Sequence, residues 1–226
     1  QQQDYAAANA SQQRALEIGR ELGDISLEAW ALNNIGYVYQ AQGEVERAIE
    51  YFTEGLRQLE ASPLPGAEVQ ILSNLNRIYF NQGRGEDTIR VSERLIELGE
   101  AIDSKDAAFS GWVGLFAVHK FNQASEVATN AADEITLLLA EATNAELTVT
   151  VAKELLDFYA TQQNAQQAVA ITKIGLDAAR AAENVEKEVV FLRSLGPNQQ
   201  ALGNYAEAVA AMNELLPLIE GTEGPE

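Results

Sequence analysis

The apolar residues of this chain recur at helical spacing almost from end to end. Leu32, Ile35, Gly36 and Tyr39 fall at i, i+3, i+4 and i+7, one face of a helix. Val45, Ala48, Ile49, Phe52 and Leu56 form a second such stripe, with Gly43 as the breaker between the two. The spacing predicts two helices joined by a tight turn. No stretch alternates apolar and polar residues in the manner of a strand, so the predicted fold class is all-α.

The pair of stripes then repeats. Leu32-Asn33-Asn34-Ile35-Gly36-Tyr37-Val38-Tyr39 has a near copy in Leu72-Ser73-Asn74-Leu75-Asn76-Arg77-Ile78-Tyr79, and Tyr39 to Tyr79 is 40 residues, as is Gly43 to Gly83. Further steps of 40 take Ile35 to Leu75, Leu115, Leu155 and Leu195. The same step takes Ala48 to Thr88, Ala128, Ala168 and Ala208, with Ala8 one step back. The register divides the 226 residues into a leading half-unit, 1–28, and units at 29–68, 69–108, 109–148, 149–188 and 189–226. This predicts one array over 1–226, an α-solenoid of about eleven helices. Residues 4–22 supply only a second helix, whose uncovered face offers a surface for self-association. Two irregularities carry predictions of their own. The slot of Gly36 becomes Asn76, Phe116 and Leu156 before returning to Gly196, and the two large residues predict wider helix spacing through 109–160. Pro197 predicts a bend or break in the first helix of the last unit.

Leu32, Gly36, Tyr39, Ala48 and Phe52 resemble the tetratricopeptide pattern of small and aromatic residues at set offsets. That family's usual repeat is about 34 residues. The longer period is similar to the repeats of kinesin light chain, the Pins-type adaptors and the Rap-type peptide sensors. The resemblance implies a right-handed superhelix of antiparallel helix pairs, whose first helices line a concave groove that holds a protein or peptide partner. It places Trp30, Asn33, Asn34 and Tyr37 in the groove, then Asn74, Arg77 and Phe80, then Gly114, Lys120 and Phe121, then Lys153 and Arg193. Asn34 and Asn74 share one slot. Their helices should sit about 10 Å apart, and an extended peptide advances about 3.3 Å per residue. The two amides would therefore meet a bound backbone about three residues apart, each able to donate and to accept. The competing reading is that they bond within their own helices or to water.

Charge refines the picture. The chain holds 34 acidic and 15 basic residues, a net charge of −19, which argues against nucleic acid and against anionic membrane surfaces. The acid is concentrated on the second helices: 44–60 carries Glu44, Glu46, Glu50, Glu54 and Glu60 against Arg47 and Arg57. The first-helix segments 29–42, 69–82 and 109–122 carry no acid and two bases, Arg77 and Lys120. There is no cysteine, which excludes disulfides, zinc fingers and a cysteine nucleophile. The single histidine, His119, takes the slot of Tyr39, Tyr79 and Tyr159 and reads as a packed ring with one hydrogen-bonded nitrogen. No glycine-rich phosphate loop precedes a helix, so no enzyme activity, cofactor or metal is expected. No apolar run is long enough to span a membrane, and no secretory leader is visible, so a cytoplasmic chain without membrane insertion is expected. The expected function is a scaffold that binds a peptide segment of a partner protein. The alternative is a sensor domain of a larger signalling protein that responds to a short peptide or small ligand.

Overall fold

The computed structural model describes residues 2–120 and 125–220. Among them are eleven helices and no strand: α1 Gln2–Leu22, α2 Ile25–Ala41, α3 Val45–Ala61, α4 Pro65–Asn81, α5 Gly85–Ala101, α6 Lys105–His119, α7 Ser125–Leu139, α8 Ala145–Thr161, α9 Ala165–Ala181, α10 Val185–Ala201 and α11 Tyr205–Glu220. From α2 onward each helix starts twenty residues after the one before. The first helix of each pair starts four residues ahead of the frame read from the apolar stripes, because turn and cap chemistry set the boundary.

That chemistry recurs along the chain. Gly23, Gly43, Gly83, Asp103, Gln163, Glu183 and Gly203 all have φ between 53° and 80°. The next N–H reaches back to the carbonyl five residues earlier, as from Glu44 to Tyr39 at 2.9 Å and from Asn164 to Tyr159 at 3.0 Å. This pattern closes a helix end and pairs its last carbonyls. Glycine adopts the left-handed conformation freely, whereas Asp103, Gln163 and Glu183 carry a cost of about 1 kcal/mol each. The following residue often caps the next helix: the side chains of Asp24, Ser104, Asn144, Asn164 and Asn184 each accept from the N–H three residues on. At 63–65 the turn is made by Pro63-Leu64-Pro65, and Pro65 opens α4.

The chain forms two compact units, 1–131 and 132–226. In the first, α1 packs on α2, α2 on α3, α3 on α4, α4 on α5 and α5 on α6. The alternate pairs α2–α4 and α4–α6 also touch, so the first helices form a layer of their own. In the second unit α8 packs on α9, α9 on α10 and α10 on α11. Phe52, Ile35, Ile71 and Leu95 are fully buried in the first unit, and Tyr159, Leu155, Ile171 and Phe191 in the second.

Facing slots trade bulk. A Cβ on Gly36 would lie 2.7 Å from the Phe52 ring. One unit on, the same two slots hold Asn76 and Ser92, and Ser92 Oγ donates to Asn76 Oδ1 at 3.1 Å. In the second unit they hold Leu156 and Thr172, both buried. The slots between successive pairs behave alike: Gly55 lies against Ile71, and Gly175 against the Phe191 ring.

Two expectations are corrected. Between α5 and α6 the expected wider spacing is absent. A Cβ on Gly111 would lie 2.5 Å from the Ser92 carbonyl oxygen, and Gly114 packs against Ser92 and Asn76, so α6 meets α5 backbone to backbone. Nor does Pro197 break α10, which runs unbroken from Val185 to Ala201. Its ring lies on the exposed side, and the carbonyl it leaves free belongs to exposed Arg193, where water can replace the lost bond. The Asn198 side-chain amide also donates to the Ser194 carbonyl at 2.8 Å.

Candidate protein-interaction face

Helix α2 divides its residues cleanly. Ala29, Leu32, Ile35, Gly36 and Tyr39 are buried, whereas Trp30, Asn34 and Tyr37, at i, i+4 and i+7, form an exposed stripe. On α4 the exposed residues of the same layer are Arg77 and Phe80. Arg77 Nη2 donates to Gln40 Oε1 at 3.1 Å, which ties the two exposed sides together. Trp30, Tyr37 and Phe80 keep 42–56% of their surface in solvent. The acids on these two helices are withdrawn from that stripe: Glu28 is buried, and Glu68 is held by Arg94 Nε at 2.8 Å. At the end of α6, Lys120 Nζ lies 5.3 Å from the centre of the Phe116 ring. Gly114 is buried against α5 and presents nothing to a groove. Phe121 lies outside the described residues. Lys153, paired with Asp157, and exposed Arg193 stand on first helices of the second unit.

The two asparagines that share a slot are not presented alike. Asn34 is exposed, and its Nδ2 donates to Gln12 Oε1 of α1 at 3.2 Å. Asn74 is buried, and its Nδ2 donates to Asn33 Oδ1 at 3.0 Å. Asn33 is buried too and donates to Asn34 Oδ1 at 3.4 Å. The amides therefore form a chain from α1 across α2 to α4. A buried amide must find a partner, and the neighbouring helix supplies one. The sequence placed Asn33 beside Asn34 but held no sign that Asn33 would turn inward to meet Asn74.

The tyrosine slot shows how far His119 departs from its counterparts. The Tyr39 hydroxyl accepts from Asn9 Nδ2 at 3.1 Å and Arg47 Nη2 at 2.6 Å, and its ring stacks on Tyr51 at 5.3 Å. The Tyr159 hydroxyl donates to Asp133 Oδ1 at 2.8 Å, and burial pushes its pKa well above the ordinary phenol value. His119 is packed, and its Nδ1 is buried without a hydrogen-bond partner among the described residues.

On the side of α4 away from Arg77 lies a cavity of about 600 Å³ between α3, α4 and α5, which sequence reasoning did not find. Leu56, Leu72, Leu75 and Val91 line it, with Arg57, Arg90 and Arg94 at the rim. Each guanidinium is held by a carboxylate, of Glu54, Asp87 and Glu68 respectively. Three helices contribute, so no single stretch of sequence signals it. Among the described residues no group of three or more His, Asp or Glu side chains is placed to hold a metal. None of the described helices is long and apolar enough to cross a membrane.

Comparison with known proteins agrees with this architecture. The tetratricopeptide-repeat family model matches residues 1–61, which span α1 to α3. Over 110 residues, 49% of the chain, the sequence is 28% identical to the regulatory protein AfsR of Streptomyces griseus, and it spans 11% of that protein's length. The crystal structure of BtubC (BKLC) from P. vanneervenii superposes with a TM-score of 0.64 and 16% identity, covering 98% of this chain and 93% of that one. The STAND (signal transduction ATPase with numerous domains) protein with a tetratricopeptide repeat sensor, PH0952 from Pyrococcus horikoshii, superposes with a TM-score of 0.57 and 19% identity over 94% of this chain and 34% of that one. At these identities the two structural likenesses establish the fold. The recurring helix pairs, the slot residues that carry them and the family match over residues 1–61 together support a tetratricopeptide-type repeat chain.

Proposed function

We propose that the first-helix layer of the first unit binds a segment of a partner protein. Trp30, Tyr37 and Phe80 are its apolar anchors, and Asn34, Arg77 and Lys120 its polar contacts, with Phe121 continuing the same stretch of sequence. Lys153 and Arg193 of the second unit belong to the same proposal, as contacts of their own helices. Asn33 and Asn74 serve it indirectly, by bracing α2 against α4. The observation that carries the reading is three half-exposed aromatic rings on a stripe without an exposed carboxylate, in a chain of net charge −19. Large exposed rings of this kind are the side chains that dominate interface energetics.

The test starts from partners captured on the immobilised chain and mapped to a binding segment. In the double variant Tyr37→Ala, Phe80→Ala, affinity for that segment should fall by about 30-fold or more. Asn34→Ala alone should cost only a few-fold, because its amide already has a partner in Gln12. Helicity and melting temperature should stay unchanged, since the two rings are half in solvent. Full binding by a folded double variant would overturn the reading.

A second reading is supported by what AfsR and PH0952 are called, a regulatory protein and a protein with a repeat sensor. On this reading the same face is the input surface of a longer signalling protein. The double variant would then blunt the response of that protein's output to its ligand while leaving its basal output intact. Equal responses from the variant and the parent protein would count against it.

A further inference from the structure

The cavity between α3, α4 and α5, at about 600 Å³, has the size of a small-ligand site, for which about 300–1,000 Å³ is usual. Its floor is apolar. Leu72, Leu75 and Val91, all buried, form it together with half-buried Leu56.

The rim sets this cavity apart from its counterparts. Arg57 stands on α3, and Arg90 and Arg94 stand one helical turn apart on α5. One step of 40 back, the same three slots hold Glu17, Glu50 and Glu54. Successive steps forward give Glu97, Asn130 and Glu134, then Leu137, Ala170 and Ile174, then Asp177, Ala210 and Glu214. Of these five sets one alone carries a base, and it carries three, in a chain of 34 acids and 15 bases. The groove between α7, α8 and α9, two steps on, encloses about 280 Å³ and has Ile174 where Arg94 stands. Shared repeat packing therefore does not demand the arginines.

The ion pairs of the rim leave donors to spare. Arg57 grips Glu54 through Nε and Nη2, so its Nη1 has no part in that pair. Arg84 and Arg90 share the single carboxylate of Asp87, which leaves a net positive charge there. Glu60 and Glu68 also line the cavity, toward the α3–α4 turn, and Arg94 holds Glu68. Pairs this exposed are weakly held, and a guanidinium can turn from one carboxylate to an incoming anion.

We propose that this cavity binds a small amphipathic anion, a molecule with one apolar chain and a carboxylate or phosphate head. The chain lies on the leucine floor, and Arg57, Arg90 and Arg94 receive the head. The site is on the side of α4 away from Arg77 and does not rest on the partner-binding reading.

Titration calorimetry with decanoate, kept below the concentration at which it forms micelles, tests the proposal. A dissociation constant on the order of tens of micromolar is expected. Octanoate, two methylenes shorter, should bind about tenfold more weakly. Decyl phosphate should bind in the range of decanoate. Decyltrimethylammonium, the same chain under a cationic head, should bind at least about tenfold more weakly than decanoate. The double variant Arg57→Gln, Arg90→Gln should weaken decanoate binding by about tenfold or more. Its helicity and melting temperature should not change, because Glu54 keeps Gln58 and Asp87 keeps Arg84. The variant Tyr37→Ala, Phe80→Ala should bind decanoate as the parent chain does, which separates this site from the interaction face. Absence of saturable decanoate binding, or equal binding of the cationic amphiphile, would overturn the proposal. Full decanoate binding by the folded arginine variant would overturn it too, since the rim is what selects an anion.

Discussion

Phe52→Ala should cost the first unit about 4 kcal/mol, the range for emptying a fully buried phenylalanine site. The ring packs directly over Gly36, so the space it leaves has no side chain on that side to collapse inward. Gly36→Leu should also destabilise, by about 2 kcal/mol or more, because a Cβ there meets the ring at 2.7 Å. The double variant Gly36→Leu, Phe52→Thr reproduces the pair found at Leu156 and Thr172 in the second unit. It should recover at least about 1 kcal/mol relative to the sum of its two single changes. Urea unfolding of the parent chain, the two single variants and the double variant would measure the coupling. Strict additivity would show that the two slots do not share one volume.

Gly111→Ala should be nearly as damaging, at about 3 kcal/mol, although it adds a single methyl group. That methyl would stand 2.5 Å from the backbone oxygen of Ser92, and a backbone cannot rotate aside as a flexible side chain can. Gly99, where a Cβ would lie 2.6 Å from the backbone nitrogen of Ala108, should behave alike. Gly66→Ala is the contrasting case. Nothing lies within 4 Å of its Cβ position, so alanine should stabilise by about 0.5 kcal/mol through reduced freedom of the unfolded chain. Thermal melts should separate the two classes in opposite directions. A neutral Gly111→Ala would mean that α6 can shift away from α5 at little cost.

These effects show which parts of the molecule were legible in sequence. The apolar stripes and the 40-residue step between Tyr39 and Tyr79 predicted helix pairs, and the eleven described helices follow. The finer clock of twenty residues was less visible, because the turn residue changes identity from Gly43 to Asp103 to Gln163 while its backbone conformation does not. At Pro197 the break that the sequence allowed does not occur, since a proline whose ring and freed carbonyl both face water leaves the rest of the helix its hydrogen bonds. At Phe116 bulk in one slot said nothing of Gly111 and Gly114, which bring α6 against α5 backbone to backbone.

The interaction face divides in the same way. Trp30, Tyr37, Arg77 and Phe80, which the resemblance to the tetratricopeptide pattern placed on the outward side of their helices, are exposed. The fates of Asn34 and Asn74 were decided by tertiary structure, since a buried amide takes whichever partner the next helix offers, and here that is Asn33. Likewise, Tyr205, Val209, Met212 and Leu216 on α11 stand at the same helical spacing as the buried stripes. Only the folded chain shows that no described helix covers them. Sequence by itself determined the helices, their pairing and the sign of the charge on each, all of which follow from periodicity and composition. Tertiary structure decided which amides are spent on bracing, where backbones touch and which apolar stripe stays in water, because each depends on residues at least a whole helix away.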